Sequence, residues 1–147
     1  MDYYRTIRYA LKARKIKIKK WVKSDGGGWA NLTDKWVIMP WPKTIIDFGR
    51  CWHEIGHFEH KHNSTKTRYV EEYEAEIYAI NKLKEYGLNT QRYTIGAKLY
   101  VMHQILKALD RKHPEEKIPE EIKKWFGKGY DLYKKKAKKT TFLLEPY

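Results

Sequence analysis

Cysteine is almost absent from this 147-residue sequence, because Cys51 is the single one. One cysteine cannot form an intramolecular disulfide and cannot build a zinc ribbon. The sequence also has no run of 18 apolar residues, and its first residues lack the apolar stretch of a signal peptide. We therefore expect a chain without a membrane partner that works in the cytoplasm, or in the host cytoplasm if the protein is viral.

Acidic side chains are scarce: 18 Asp and Glu stand against 31 Lys and Arg, which gives a formal net charge of +13. Residues 5–23 carry basic residues and no acidic one, residues 123–139 are rich in lysine, and residues 54–85 are rich in acids. Basic termini of this kind attract polyanions by counterion release, which makes nucleic acid a candidate partner. The other interpretation is that the lysines only solvate helix faces.

The most informative stretch is His53-Glu54-Ile55-Gly56-His57. On a helix, residues four apart leave the same face, so the two imidazoles can hold one Zn²⁺ with bonds of about 2.0–2.1 Å. Glu54 is rotated by about 100° from His53, which keeps it off the metal and within reach of a metal-bound water. Two ligands, a general base and an open position are what a zinc hydrolase requires. A five-residue pattern also occurs by chance in unrelated helices.

A glutamate-rich helix predicted over residues 69–86 offers a third ligand. Glu72, Ala75 and Ala79 share one face of it. Small residues at this spacing let a neighbouring helix approach closely, with a carboxylate at the end of the contact. This geometry favours Glu72 over Glu74 as the ligand, and the alternative is an acidic face that is merely solvated.

Other histidines and tyrosines are weaker candidates. His60 and His62 follow the motif, but the long metzincin pattern requires a histidine at position 63, where this chain has Asn63. We expect His103 to be a packed or surface residue. The side chains that we consider for assisting the reaction are Tyr69, Tyr93 and His103.

Hydrophobic periodicity predicts an α+β fold, in which an N-terminal helix and a small twisted hairpin or sheet pack on a mostly helical, zincin-like core. Strict alternation over residues 15–19 predicts a strand that runs to residue 22, and residues 35–39 are predicted to form a second strand. We expect the two strands to pair as a loose hairpin with Trp29 and Trp36 on its buried face. The predicted helices cover residues 3–15, 45–60, 69–86, 94–109, 120–126 and 130–139. Thr44 is the expected N-cap of the second helix and Gly87 the glycine expected to end the third, and the glycines at positions 26–28 are expected to form a turn.

We interpret residues 1–147 as a single domain, with a core over residues 16–109 and a basic, helical C-terminal extension over residues 114–147. In the helix over residues 94–109, apolar residues step by three and four and are expected to face the core. These residues are Ile95, Leu99, Met102, Leu106 and Leu109.

The two motifs together resemble the ImmA/IrrE-type zinc metallopeptidases, a family common in phages, mobile elements and bacteria. Residues 53–57 match the family's H-E-x-G-H helix, and residues 72–79 match its second motif, roughly E-x-x-A-n-x-F-A. The resemblance maps Glu72 onto the third zinc ligand and Tyr78 onto the aromatic position. It covers about residues 16–86, and the order of elements predicted here is also that of the family.

The chain departs from the family pattern in three respects. Glu76 stands where the family usually has asparagine or aspartate, and Ile80-Asn81-Lys82-Leu83 replaces the apolar end of the second motif. No helix-turn-helix domain is recognisable in the sequence.

These observations predict a zinc metallopeptidase that cleaves a protein or peptide substrate. Zn²⁺ is expected on His53, His57 and Glu72, with Glu54 activating its bound water. The resemblance implies an accessory or regulatory protease of a phage or mobile element. The alternative hypothesis is a non-enzymatic, zinc-containing protein that binds nucleic acid or an acidic host protein through its basic termini.

Overall fold

The computed structural model describes residues 1–24, 26–63 and 66–139, and these residues form an α+β fold, as predicted. The helices of the described residues are α1 (Tyr3–Ala13), α2 (Ile45–Glu59), α3 (Arg68–Glu85), α4 (Gln91–Asp110), α5 (Glu120–Phe126) and α6 (Tyr130–Lys139). The strands are β1 (Lys17–Val22), β2 (Trp29–Asn31) and β3 (Trp36–Pro40). The bounds of α5 and α6 are the predicted ones, and the other helices differ by a few residues at their ends.

The sheet has the strand order β1–β3–β2. β2 and β3 are antiparallel, with Ala30 opposite Val37, whereas β1 runs parallel to β3, with Ile18 opposite the same Val37. The predicted hairpin between residues 15–22 and 35–39 is therefore wrong. Alternation of period two is the same in parallel and antiparallel strands, and the short β2 takes the antiparallel position beside β3.

Aliphatic side chains, and not tryptophans, make the buried face of this sheet. Val37 and Met39 of β3 are fully buried. Trp29 and Trp36 are only half-buried, and the Lys19 ammonium lies 4.2 Å from the centre of the Trp36 ring. The prediction that these two tryptophans supply the buried face is wrong, because both keep part of their surface exposed while Val37 and Met39 are fully buried.

α2 and α3 pack along a seam of small residues. Ala75 and Ala79 of α3 are fully buried. A Cβ placed on Gly56 of α2 would lie 3.1 Å from the ring of Tyr78 and 3.3 Å from the Cα of Ala75. The close helix approach expected from the spacing of small residues is thus present, and it brings side chains of α3 against the imidazoles of α2.

Two apolar clusters hold the molecule together. The first joins α1, the sheet and α2, and the second joins α5 and α6 to α3 and α4. α3 and α4 contribute buried residues to both clusters, so the described residues form one domain. None of the helices in these residues is long and apolar enough to cross a membrane. The predicted extension contains α5 and α6, and its residues 140–147 lie outside the described residues.

α4 presents a different face to the core from the one predicted. Ile95 is 44% exposed, and of the predicted stripe only Met102 is buried. The buried apolar residues of α4 are Tyr93, Ala97, Val101, Met102 and Ile105. Apolar side chains occur around most of this helix, so periodicity alone could not choose the buried face. The structure turns Tyr93 inward, towards α2 and α3.

Candidate metal centre

α2 begins at a capped N-terminus. The Thr44 hydroxyl accepts a hydrogen bond from the N–H of Asp47 at 3.1 Å, as the sequence predicted. The motif follows about two turns later, where His53 and Glu54 are buried and His57 is half-buried. The rest of the helix packs on the first apolar cluster, so both imidazoles are directed towards α3.

The Nε2 atoms of His53 and His57 and the Oε2 atom of Glu72 form a nearly equilateral triangle, which we call the primary triad. The distances are 3.2 Å between the two nitrogens, 3.0 Å from His53 to Glu72, and 3.1 Å from His57 to Glu72. Zinc bonds of about 2.0–2.1 Å in a tetrahedral site separate neighbouring donors by about 3.3 Å. The three atoms therefore fit one face of a zinc coordination tetrahedron, and its fourth corner points away from them.

The structure separates the two glutamates that the sequence left as alternatives. Glu72 is buried in the seam between α2 and α3 and belongs to the primary triad. Glu74 lies on another side of α3, where its carboxylate contacts His62 and Lys66. Residues two apart on a helix differ by about 200° in direction, so only one of them can reach the Nε2 atoms of His53 and His57.

Two hydrogen bonds on the side away from the triad fix the orientation of His53. Its Nδ1 donates to Glu76 Oε1 at 2.8 Å, and the Tyr93 hydroxyl donates to the same oxygen at 2.6 Å. A Cβ on Gly49 would lie 2.4 Å from the Tyr93 ring, so only glycine leaves room for this ring against α2. When His53 is neutral and Nδ1 carries the hydrogen, its Nε2 lone pair is directed into the primary triad.

His57 has a different partner. Its Nδ1 lies 2.8 Å from Nδ1 of His62, and Nε2 of His62 lies 3.0 Å from Glu74 Oε1. The arrangement is satisfied when His57 donates to His62 and His62 donates to Glu74. His57 Nε2 is then also free of hydrogen and can act as a metal ligand.

In the metal-free protein, the pKa values of the residues around the triad are shifted as expected for a site that binds a cation. Burial lowers the pKa of His53, but Glu76 and Glu72 outweigh burial and hold this pKa well above its ordinary value. Burial raises the pKa of Glu72, but hydrogen bonds and charge from His53 and His57 bring it well below its ordinary value. Burial raises the pKa of Glu54. A buried carboxylate thus stabilises positive charge at the place where the triad would hold a metal.

The primary triad opens onto a cleft of about 410 Å³ that Glu54 also lines. Across the cleft lies the glycine segment before β2, and a Cβ on Gly28 would lie 2.4 Å from Glu54 Oε2. From the sequence, these glycines were predicted only to form a turn. In the structure Gly28 is the residue that lets the backbone come close to the candidate general base.

Tyr100 of α4 lines the cleft, and its hydroxyl donates to Glu72 Oε1 at 3.2 Å. Of the side chains considered for assistance, Tyr93 also lines the cleft but is bonded to Glu76. Tyr69 is hydrogen-bonded to His113, and neither Tyr69 nor His103 lines the cleft.

Sequence reasoning missed Tyr100 and did not predict the contacts that Glu76, Tyr93 and His62 make around the triad, although signals existed for some of them. Glu76 follows Glu72 by four residues and therefore shares its helix face. Tyr93 and Tyr100 are seven apart, two turns on one face of α4. His62 follows the end of α2, where no periodicity applies.

No family model, curated protein or solved structure matches this chain. The resemblance to the ImmA/IrrE-type metallopeptidases therefore stays a prediction that depends on residues 53–57 and 72–79.

Proposed function

We propose that this protein is a zinc-dependent metallopeptidase with His53, His57 and Glu72 as ligands. The observation that carries the proposal is the primary triad itself: three donor atoms 3.0–3.2 Å apart, beside a buried glutamate, at the wall of a cleft. A structural zinc site usually has four protein ligands, and three ligands with an open position are typical of catalytic sites. The resemblance is the support for a role in a phage or mobile element.

The metal and the protein side chains would have separate roles in the reaction. A bound zinc ion would lower the pKa of a coordinated water to about 7 and polarise the scissile carbonyl. Glu54 accepts the proton of the attacking water and delivers it to the leaving amine, a role for which a buried carboxyl with a raised pKa is suited. Tyr100 can turn its hydroxyl from Glu72 to the developing oxyanion.

The neighbouring strand supports a peptide as substrate. β2 is at the edge of the sheet, and its residues Trp29 and Ala30 line the same cleft as Glu54. An edge strand offers unpaired backbone groups that bind an extended peptide as an additional strand. The scissile bond of such a peptide would pass in front of the primary triad.

Zinc content tests the site. We expect about one tightly bound zinc per chain in the wild type by elemental analysis, a loss of this tight zinc in Glu72→Ala, and its retention in Glu74→Ala, the matched change two residues away. Retention in Glu72→Ala, or no zinc in the wild type when zinc is supplied during purification, would contradict the proposal.

Hydrolysis tests the mechanism. A peptide mixture of random sequence is incubated with the zinc-loaded protein, and new termini are identified by mass spectrometry. Glu54→Gln is expected to keep zinc and to lose cleavage, because an amide cannot accept the proton. Equal cleavage by this variant would refute the role of Glu54.

A second candidate function is nucleic-acid binding through α1 and β1. Every basic residue of positions 5–23 except Arg14 is exposed, which gives this surface a concentrated positive charge. Binding to a DNA duplex of random sequence should then weaken steeply as salt is raised. Absence of binding at 50 mM salt would exclude this function.

A further inference from the structure

A second group of metal-ligating side chains lies just beyond the primary triad. His60 caps the C-terminus of α2, His62 follows it, and Glu74 faces both from α3. One donor atom from each of the three lies within 4.8 Å of the others. We call these residues the secondary cluster. Its members are exposed, buried and half-buried in that order, so the cluster opens to solvent at His60.

We propose that the secondary cluster binds a second divalent metal ion of the Zn²⁺ type, and that metal there weakens metal binding at the primary triad. Two imidazoles and a carboxylate are a donor set that zinc uses in other proteins. The second site stands on its own geometry, whereas the antagonism also depends on the proposed function, because it requires metal on His57.

The geometry identifies the donors. His62 Nε2 and Glu74 Oε1 are 3.0 Å apart, close to the donor separation of the primary triad. The ring of His60 lies parallel to that of His62 with centroids 5.4 Å apart, and its exposure leaves it free to turn. His62 Nε2, Glu74 Oε1 and one nitrogen of His60 would then hold the ion, with water completing its coordination.

An ammonium group of the protein already contacts Glu74 and makes this the weaker of the two sites. The Lys66 ammonium contacts both oxygens of Glu74 at 2.9 Å. A metal ion has to displace this ammonium before it can use the carboxylate. Because the Lys66 side chain is about half exposed, its ion pair is worth little, and the site is weakened rather than blocked.

His62 couples the two sites because it serves both. When His57 binds metal through Nε2, its Nδ1 carries a hydrogen that His62 Nδ1 accepts, 2.8 Å away. When a neutral His62 binds metal through Nε2, its own Nδ1 must carry a hydrogen. Two N–H groups then face each other and the hydrogen bond is lost. Each metal therefore weakens the other by roughly tenfold, the factor that loss of one hydrogen bond produces.

A zinc titration of the metal-free protein against a chromophoric chelator tests the second site. We expect two ions per chain in the wild type, one tight and one weak, and only the tight one in His60→Ala, a change at an exposed residue. His103→Ala, which removes a histidine outside both groups, should keep two. Lys66→Met should tighten the weak site by up to about fivefold. A wild type with one ion, or a His60→Ala protein with two, would overturn the proposal.

The coupling is tested with Glu72→Ala. Without the primary triad His57 holds no metal, so the secondary cluster should bind its ion roughly tenfold more tightly than in the wild type. An unchanged affinity would refute the coupling. If the tight ion were lost in His60→Ala and kept in Glu72→Ala, the proposed function would fail while the secondary cluster would remain as the metal site.

Discussion

Replacing Glu76 by alanine removes the acceptor of two buried hydrogen bonds at once. Its Oε1 accepts from His53 Nδ1 at 2.8 Å and from the Tyr93 hydroxyl at 2.6 Å. The first bond orients a proposed zinc ligand, and loss of such a partner weakens metal binding by about 10–100-fold. We therefore expect the zinc dissociation constant of Glu76→Ala to rise by this factor, measured by competition with a chelator.

Loss of the second hydrogen bond, from the Tyr93 hydroxyl, is expected to destabilise the same variant. In Glu76→Ala the Tyr93 hydroxyl, in a residue 5% exposed, loses its acceptor, which costs about 1–3 kcal/mol. The double variant Glu76→Ala/Tyr93→Phe removes donor and acceptor together. It should be more stable than the sum of the single changes predicts, by about 1 kcal/mol. Urea unfolding of the metal-free proteins measures these differences.

Two results would refute this reasoning. Wild-type zinc affinity in Glu76→Ala would mean that His53 is not positioned through Glu76. Additive stability effects in the double variant would mean that Tyr93 does not depend on this carboxylate. Glu85→Ala is the control, because it removes a largely exposed glutamate at the other end of α3 and should change neither quantity.

Three glycine substitutions give further predictions. Gly49→Ala should destabilise the protein, because its Cβ would lie 2.4 Å from the Tyr93 ring and overpacking costs about 1–3 kcal/mol. Gly96→Ala, with nothing within 4 Å of its Cβ, should stabilise the protein by up to about 1 kcal/mol; the opposite order in thermal unfolding would contradict the packing. Gly28→Ala should keep zinc but lower hydrolysis, because the new Cβ displaces the Glu54 carboxylate; unchanged kcat would refute this contact.

Local rules predicted much of the fold and part of the candidate site. Thr44 caps α2, and Gly87 ends α3 with a φ of +72°, where glycine is favoured. The spacing of His53 and His57 and the small residues near Glu72 predicted side chains that the structure brings together. These patterns succeed because the geometry of one helix fixes the relative directions of its own side chains.

Relations between elements were decided only by the tertiary structure. Alternation correctly predicted that β1 is a strand. It could not predict that β1 runs parallel to β3, because β2 takes the antiparallel position on the other side of β3. The buried face of α4 is the one that packs on α2 and α3 and includes Tyr93, which donates to Glu76.

His62 became the partner of His57 because the chain turns back after α2. The sequence by itself determined the helices, their caps and the spacing of the motif, because these depend on residues within a few positions of one another. The tertiary structure decided the strand partners, the orientation of α4 and the surroundings of the triad, because these depend on the packing of distant segments.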